Sequence, residues 1–141
     1  MRATYRVLAM LIALCVVVQA AVIAAAWFTV LHDTESGAVF DENSTGNWGH
    51  AAHSWFGSVV IPLLALTLLV VSFFAGIPGG VKWAAITFGV VVLQFAFAVV
   101  GFFAPALGVL HGMNAFALAG VASVAMRKAR QTEPVKEPVA V

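Results

Sequence analysis

Charge is what this chain has least of. Lys, Arg, Asp and Glu supply 9% of its 141 residues, where a soluble domain carries roughly a quarter, so an ordinary water-facing surface cannot be assembled from it. The formal net charge of +1 gives no basic patch, which excludes nucleic acid as a partner. A single cysteine, Cys15, lies inside an apolar run, so neither a disulfide framework nor a cysteine-based metal site can form within the chain. It reads as a thiol buried in a helix. The long apolar runs hold no carboxylate or arginine at mid-depth, which argues against a transporter or channel.

What is present is hydrocarbon: 62% hydrophobic residues and a mean hydropathy of +1.02. Four apolar stretches, at about 6–31, 51–75, 81–104 and 106–126, are each long enough to cross a hydrocarbon core of roughly 30 Å, which takes about 20 helical residues. In lipid every backbone group must be bonded internally, so these runs are predicted to be helices despite their valine and isoleucine content. Gly76-Ile77-Pro78-Gly79-Gly80 and Pro105 supply short connections. The expected fold is therefore all-α: a polytopic membrane protein, an up-down-up-down four-helix transmembrane bundle over residues 1–130, with a disordered cytoplasmic tail at 131–141. The basic start and Ala24-Ala25-Ala26 suggest a signal peptide, but the apolar run exceeds a signal's 7 to 15 residues, so an uncleaved helix is expected.

All seven basic residues fall on one side of these crossings: Arg2, Arg6, Lys82, Arg127, Lys128, Arg130 and Lys136. The other side receives Asp33, Glu35, Asp41 and Glu42. The positive-inside rule then places both termini in the cytoplasm and the loop 32–50 outside, in a cytoplasmic (inner) membrane. Trp27, Trp48, Trp55 and Trp83 suit the two headgroup layers, where tryptophan serves as an anchor.

The two halves are weakly self-similar, as in many polytopic membrane proteins. Val16-Val17-Val18-Gln19-Ala20 parallels Val91-Val92-Leu93-Gln94-Phe95, and each precedes an aromatic pair, Trp27-Phe28 or Phe102-Phe103. His53-Ser54-Trp55-Phe56-Gly57 parallels His111-Gly112-Met113-Asn114-Ala115, both reading His-x-x-x-small. This predicts an internal two-hairpin repeat in which the second and fourth spans face each other across the bundle, with His53 and His111 at similar depth near the outer leaflet. Facing neutral imidazoles in a dry interior form an axial pair for a haem iron. Alternatively the histidines are interfacial hydrogen-bonding residues. His50, one turn from His53, could replace it as ligand, or His32, His50, His53 and His111 together could make an outward-facing metal site. The amides of Gln19 and Gln94 are expected either to be satisfied by interhelical hydrogen bonds between small-residue faces or to line the cavity or bond an imidazole nitrogen. Asn114 carries the same two readings.

The combination Leu93-Gln94, Leu110-His111-x-x-x-Ala115, Val18-Gln19 and His53-x-x-x-Gly57 resembles one four-helix half of the haem A synthase family, and also small four-helix membrane proteins of actinobacteria. The resemblance implies histidine ligation of haem from the second and fourth helices. Where the synthase's catalytic half resembles Glu-x-x-His-Arg, this chain reads His50-Ala51-Ala52-His53-Ser54, without the carboxylate or the arginine. The outer-loop cysteine pair and the second half are absent too. A haem-binding scaffold is implied, not oxidation of a haem methyl group. The expectation is a bis-histidine, cytochrome b-like protein holding haem b through His53 and His111, with Gln19, Gln94 and Asn114 around the cofactor and a membrane redox partner. Its propionates would meet water, backbone, Ser54, Trp48 or His50, since no outer lysine or arginine exists. The rival from another class is a non-enzymatic membrane interaction or assembly subunit, without cofactor, docked on a larger membrane complex.

Overall fold

The computed structural model describes residues 1–131, and these contain helices and turns with no strand. The expected tail lies, beyond Gln131, outside the described residues. Helix α1 runs Arg2–Glu35, α2 Trp48–Trp55, α3 Ile61–Ser72, α4 Gly80–Phe103 and α5 Gly108–Arg130. A π-helical turn, Phe56–Val60, fuses α2 to α3, and a 3₁₀ turn, Pro105–Leu107, leads into α5. Four continuous helical segments result that are long and apolar enough to cross a membrane: Arg2–Glu35, Trp48–Ser72, Gly80–Phe103 and Pro105–Arg130. Only 11–22% of the most apolar window in each is buried inside the protein. Their apolar surface faces outward, so the chain is a multi-pass membrane protein whose solvent is the bilayer.

The ends of the spans differ from the sequence reading. The first helix extends beyond the expected 6–31, from Arg2 through Asp33 to Glu35, which shortens the first loop, and Lys82 lies in the first turn of α4. That connection turns on Gly76 (φ 59°) and Gly79 (φ 74°), left-handed positions that a side chain would strain. Arg2 reaches across to it, donating to the Ala75 and Gly76 carbonyls at 3.3 Å each. Tyr5, fully buried, donates its hydroxyl to the Gly80 carbonyl at 2.9 Å. The start of the chain and the α3–α4 turn therefore close one end of the bundle together.

In the opposite loop, Asn47 caps α2, its Oδ1 accepting from the Gly49 and His50 N–H groups at 3.0 and 3.4 Å. Its Nδ2 donates to the Ala26 carbonyl at 2.9 Å, pinning the loop to α1. Asp41 organises the loop's middle by accepting from the Asn43 N–H at 2.9 Å and the Ser44 hydroxyl at 3.2 Å, and these bonds hold its carboxyl below the usual carboxylate range.

Between the helices the packing is close and uses small residues, as membrane interfaces do. α1 packs on α2, α3 and α5, while α4 packs on α3 and α5. The buried residues Tyr5, Ala9, Ile12 and Val16 of α1 recur on α4 as buried Gly80, Ala84, Thr87 and Val91. Each pair is separated by the same 75 positions (5 to 80, 16 to 91). Ile61, Ala65, Leu68 and Ser72 of α3 recur as buried Leu118, Ala122, Ala125 and Ala129 of α5, 57 positions on (61 to 118, 72 to 129). Between His53 and His111 the interval is 58, so the second span holds one more residue below its histidine than the fourth does. The π turn absorbs that residue. Its cause is local: Pro62 lacks an N–H, and its ring presses on the carbonyl four residues earlier, at Ser58.

Candidate functional site

The two glutamines and two histidines form two copies of one clamp. In the first, Gln19 Nε2 donates to the His53 carbonyl at 2.8 Å, and His53 Nδ1 lies 3.3 Å from the Gln19 carbonyl. In the second, Gln94 Nε2 donates to the His111 carbonyl at 2.9 Å, and His111 Nδ1 lies 3.1 Å from the Gln94 carbonyl. Helix carbonyls can only accept, so each Nδ1 is the protonated nitrogen and each Nε2 carries a lone pair. Among the described residues neither Nε2 has a hydrogen-bond partner. It is the glutamine backbone, not its amide, that fixes the imidazole. The amide fixes the histidine's backbone instead, a reciprocity that sequence gives no means to foresee.

The two imidazoles lie against each other with ring centroids 6.2 Å apart and planes at 64°. Two imidazoles bound trans on one metal, each through a bond of about 2 Å and with a ring radius of about 1.1 Å, would have centroids about 6.2 Å apart. Both line a cavity of about 770 Å³, within the range of about 300–1,000 Å³ usual for cofactor and ligand sites. Its walls are paired across the bundle: Val16 with Val91, Gln19 with Gln94, Ile23 with Ala98, Trp27 with Phe102. Gly57, Gly101, Gly108 and Gly112 also line it, leaving flat stretches of wall. Lysine, arginine and carboxylates do not contribute to the lining.

The other sequence candidates stand elsewhere. His50 is outside the cavity lining: its Nδ1 accepts from the Asn47 N–H at 3.3 Å, closing a capping box, and its ring meets the edge of Trp27 at 5.3 Å. His32 is exposed at the end of α1. The four histidines do not gather, and among the described residues no group of three or more His, Cys, Asp or Glu could hold a metal ion. Asn114 is buried behind Gln94, donating to Gln94 Oε1 at 2.6 Å and to the Val90 carbonyl at 3.0 Å. It steadies the clamp from outside the cavity.

One match shifts. The His-x-x-x-small pattern pairs Gly57 with Ala115, but the extra residue in the π turn moves the register. The residue against the glutamine amide is Gly57 in the first hairpin, where a Cβ would stand 3.1 Å from Gln19 Nε2, and Asn114 in the second. Pro62 was the available sequence signal for this. Comparison of the chain with protein-family models, with curated proteins and with solved structures finds no match.

Proposed function

We propose that this protein is a b-type haem-binding membrane protein, with His53 and His111 as axial ligands and electron transfer or haem handling as its task. The observation that carries the reading is the 6.2 Å separation of two imidazoles whose Nδ1 atoms are tied to backbone carbonyls. That tie fixes the tautomer and the orientation of each ring, as hydrogen-bond partners of metal-bound histidine do. The apolar walls and lining glycines fit a flat macrocycle. Propionates would have only the hydroxyls of Ser54 and Ser58, the Trp27 indole and water, since no cation lines the site. When bound, the group supplies a reversible one-electron couple. With both axial positions taken, outer-sphere electron transfer is the chemistry this chain's residues favour.

The same reading includes an up-down-up-down bundle with an internal repeat. Its support is the constant spacing of buried residues between the halves, the duplicated clamp, and neighbour contacts that leave the second and fourth spans diagonal. Cytoplasmic termini are supported by the charges. Arg2 is bonded to the turn preceding Lys82, and α5 ends in Arg127, Lys128 and Arg130, while the acidic residues cluster around the first loop. The site would then sit toward the outer leaflet of the cytoplasmic membrane.

A second reading has one observation in its favour: the Gln–His clamps link α1 to α2 and α4 to α5 without help from any cofactor. A cofactor-free membrane interaction subunit would use them only as structural ties. Absorption separates the two. Protein purified in detergent and offered haem b should show a Soret band with a low-spin spectrum, and either His53→Ala or His111→Ala should abolish that spectrum while His32→Ala and His50→Ala leave it intact. A wild type that takes up no haem leaves the interaction reading standing.

A further inference from the structure

The two clamps are not equally braced, and every difference between them falls on the His53 side. Gln94 is held by Asn114, whose Nδ2 lies 2.6 Å from its Oε1. At the corresponding place beside Gln19 stands Gly57, which lines the cavity and has no side chain to offer, the Gln19 Nε2 lying 3.1 Å from where its Cβ would be. Below His111 the helix is regular α, whereas three residues after His53 it widens into the π turn Phe56–Val60. π turns interrupt the hydrogen-bond ladder and recur at functional sites. The hydroxyl-bearing Ser54 and Ser58 line the cavity on this side.

From this asymmetry we infer that His53 is the exchangeable axial imidazole, and that a neutral diatomic ligand of ferrous iron enters in its place, in the space beside Gly57. The inference rests on the haem reading above. His111, tied through Gln94 to Asn114 and Val90, stays as the fixed trans ligand. His53 is the less firmly held because Gln19, whose amide ties the His53 backbone and whose carbonyl ties its ring, has no counterpart of Asn114 behind it, and because the π turn begins three residues further on. Ligand entry needs no proton or electron: one iron–imidazole bond breaks and one iron–ligand bond forms, with the imidazole still neutral.

The test uses haem-loaded, dithionite-reduced full-length protein and carbon monoxide as probe. The wild type should bind carbon monoxide, with a shifted Soret band that reverses on photolysis. Gly57→Asn, which installs the missing brace, should keep the low-spin spectrum and weaken carbon monoxide binding at least tenfold, while Asn114→Gly should not weaken it. If Gly57→Asn fails to load haem, Gly57→Ser carries the same test with a smaller expected loss, at least threefold. A low-spin wild type that ignores saturating carbon monoxide overturns the inference and leaves the haem reading intact. So does an affinity that is unchanged by the Gly57 variants. A wild type with no Soret band at all removes the haem reading itself, and this inference with it.

Discussion

Replacing Gln94 by leucine should destabilise the bundle more than replacing Gln19, although the two glutamines occupy matching positions. Each substitution deletes one amide donation to a histidine carbonyl, at 2.9 Å for Gln94 and 2.8 Å for Gln19. Such bonds average about 0.6 kcal/mol between membrane helices, with a maximum near 1.7. Gln94→Leu also strips Asn114 of its acceptor at 2.6 Å, in a side chain only 7% exposed. The Val90 carbonyl remains as a partner at 3.0 Å, so one further bond of about 1 kcal/mol is lost, not a fully orphaned amide. The expected costs are about 0.6 to 1 kcal/mol for Gln19→Leu and about 2 kcal/mol for Gln94→Leu. Equilibrium unfolding of the cofactor-free protein in bicelles would measure both, and a double-mutant cycle of Gln94→Leu with Asn114→Leu should return a coupling near 1 kcal/mol. A coupling indistinguishable from zero, or equal costs for the two glutamines, would refute the unequal bracing on which the exchange of His53 depends.

Other expectations follow from features outside the clamps. A Cβ at Gly101 would stand 3.1 Å from the Gly108 Cα, backbone that cannot step aside, so Gly101→Val should separate α4 from α5 and cost about 1–3 kcal/mol as an overpacking strain, read in the same unfolding assay. Tyr5→Phe removes the buried bond to the Gly80 carbonyl at a cost of about 0.6–1.7 kcal/mol; a variant as stable as wild type would show that bond to be idle. Reporter fusions near Glu42 should report the outside and those near Gln131 the inside, and the reverse pattern would move the histidines to the cytoplasmic leaflet. Asp41, whose folded carboxyl sits below its ordinary range through bonds from Asn43 and Ser44, should contribute its loop bonds above that ordinary range and lose them as pH falls through the lowered value. NMR titration of the Asn43 amide would follow this, and a midpoint at or above the ordinary value would contradict it.

How much of this could be read from residues alone varies with the physics involved. Helix type and number of spans were legible, because a bilayer leaves long apolar runs no other backbone solution. The pairing of Gln19 with Gln94 and of His53 with His111 was legible as similarity between segments, since polar residues are rare enough here for a match to stand out. The exact register below His53 was not. A one-residue insertion inside a helix leaves no gap in composition, and its position depends on how Pro62 distorts the preceding turn. The roles of His50 and Asn114 were equally out of reach. Both sit one turn from a cavity-lining residue, and whether such a side chain turns inward or backs a neighbour is decided by helix rotation, which sequence spacing fixes only to within a residue. His50 turned to cap α2, and Asn114 turned to Gln94.

Energetics bear on whether the clamps are structural ties alone. The space of about 770 Å³ beside the imidazoles is half open at the bundle surface, so lipid chains and water can both reach it. Water could satisfy the two Nε2 lone pairs but would lie against walls that are mostly apolar side chains. A lipid chain would suit those walls but leave both lone pairs bare in hydrocarbon, each at about 1–3 kcal/mol. The proposed occupant, broad, apolar and carrying a metal between two imidazoles 6.2 Å apart, would meet both demands at once. The prediction is that loading haem raises the unfolding midpoint in bicelles of the wild type, and by less in His53→Ala, where the walls are still filled but one axial bond is gone. If an iron-free porphyrin raised the midpoint as far as haem, filling alone would account for the gain, and the facing imidazoles would have no part in holding the occupant.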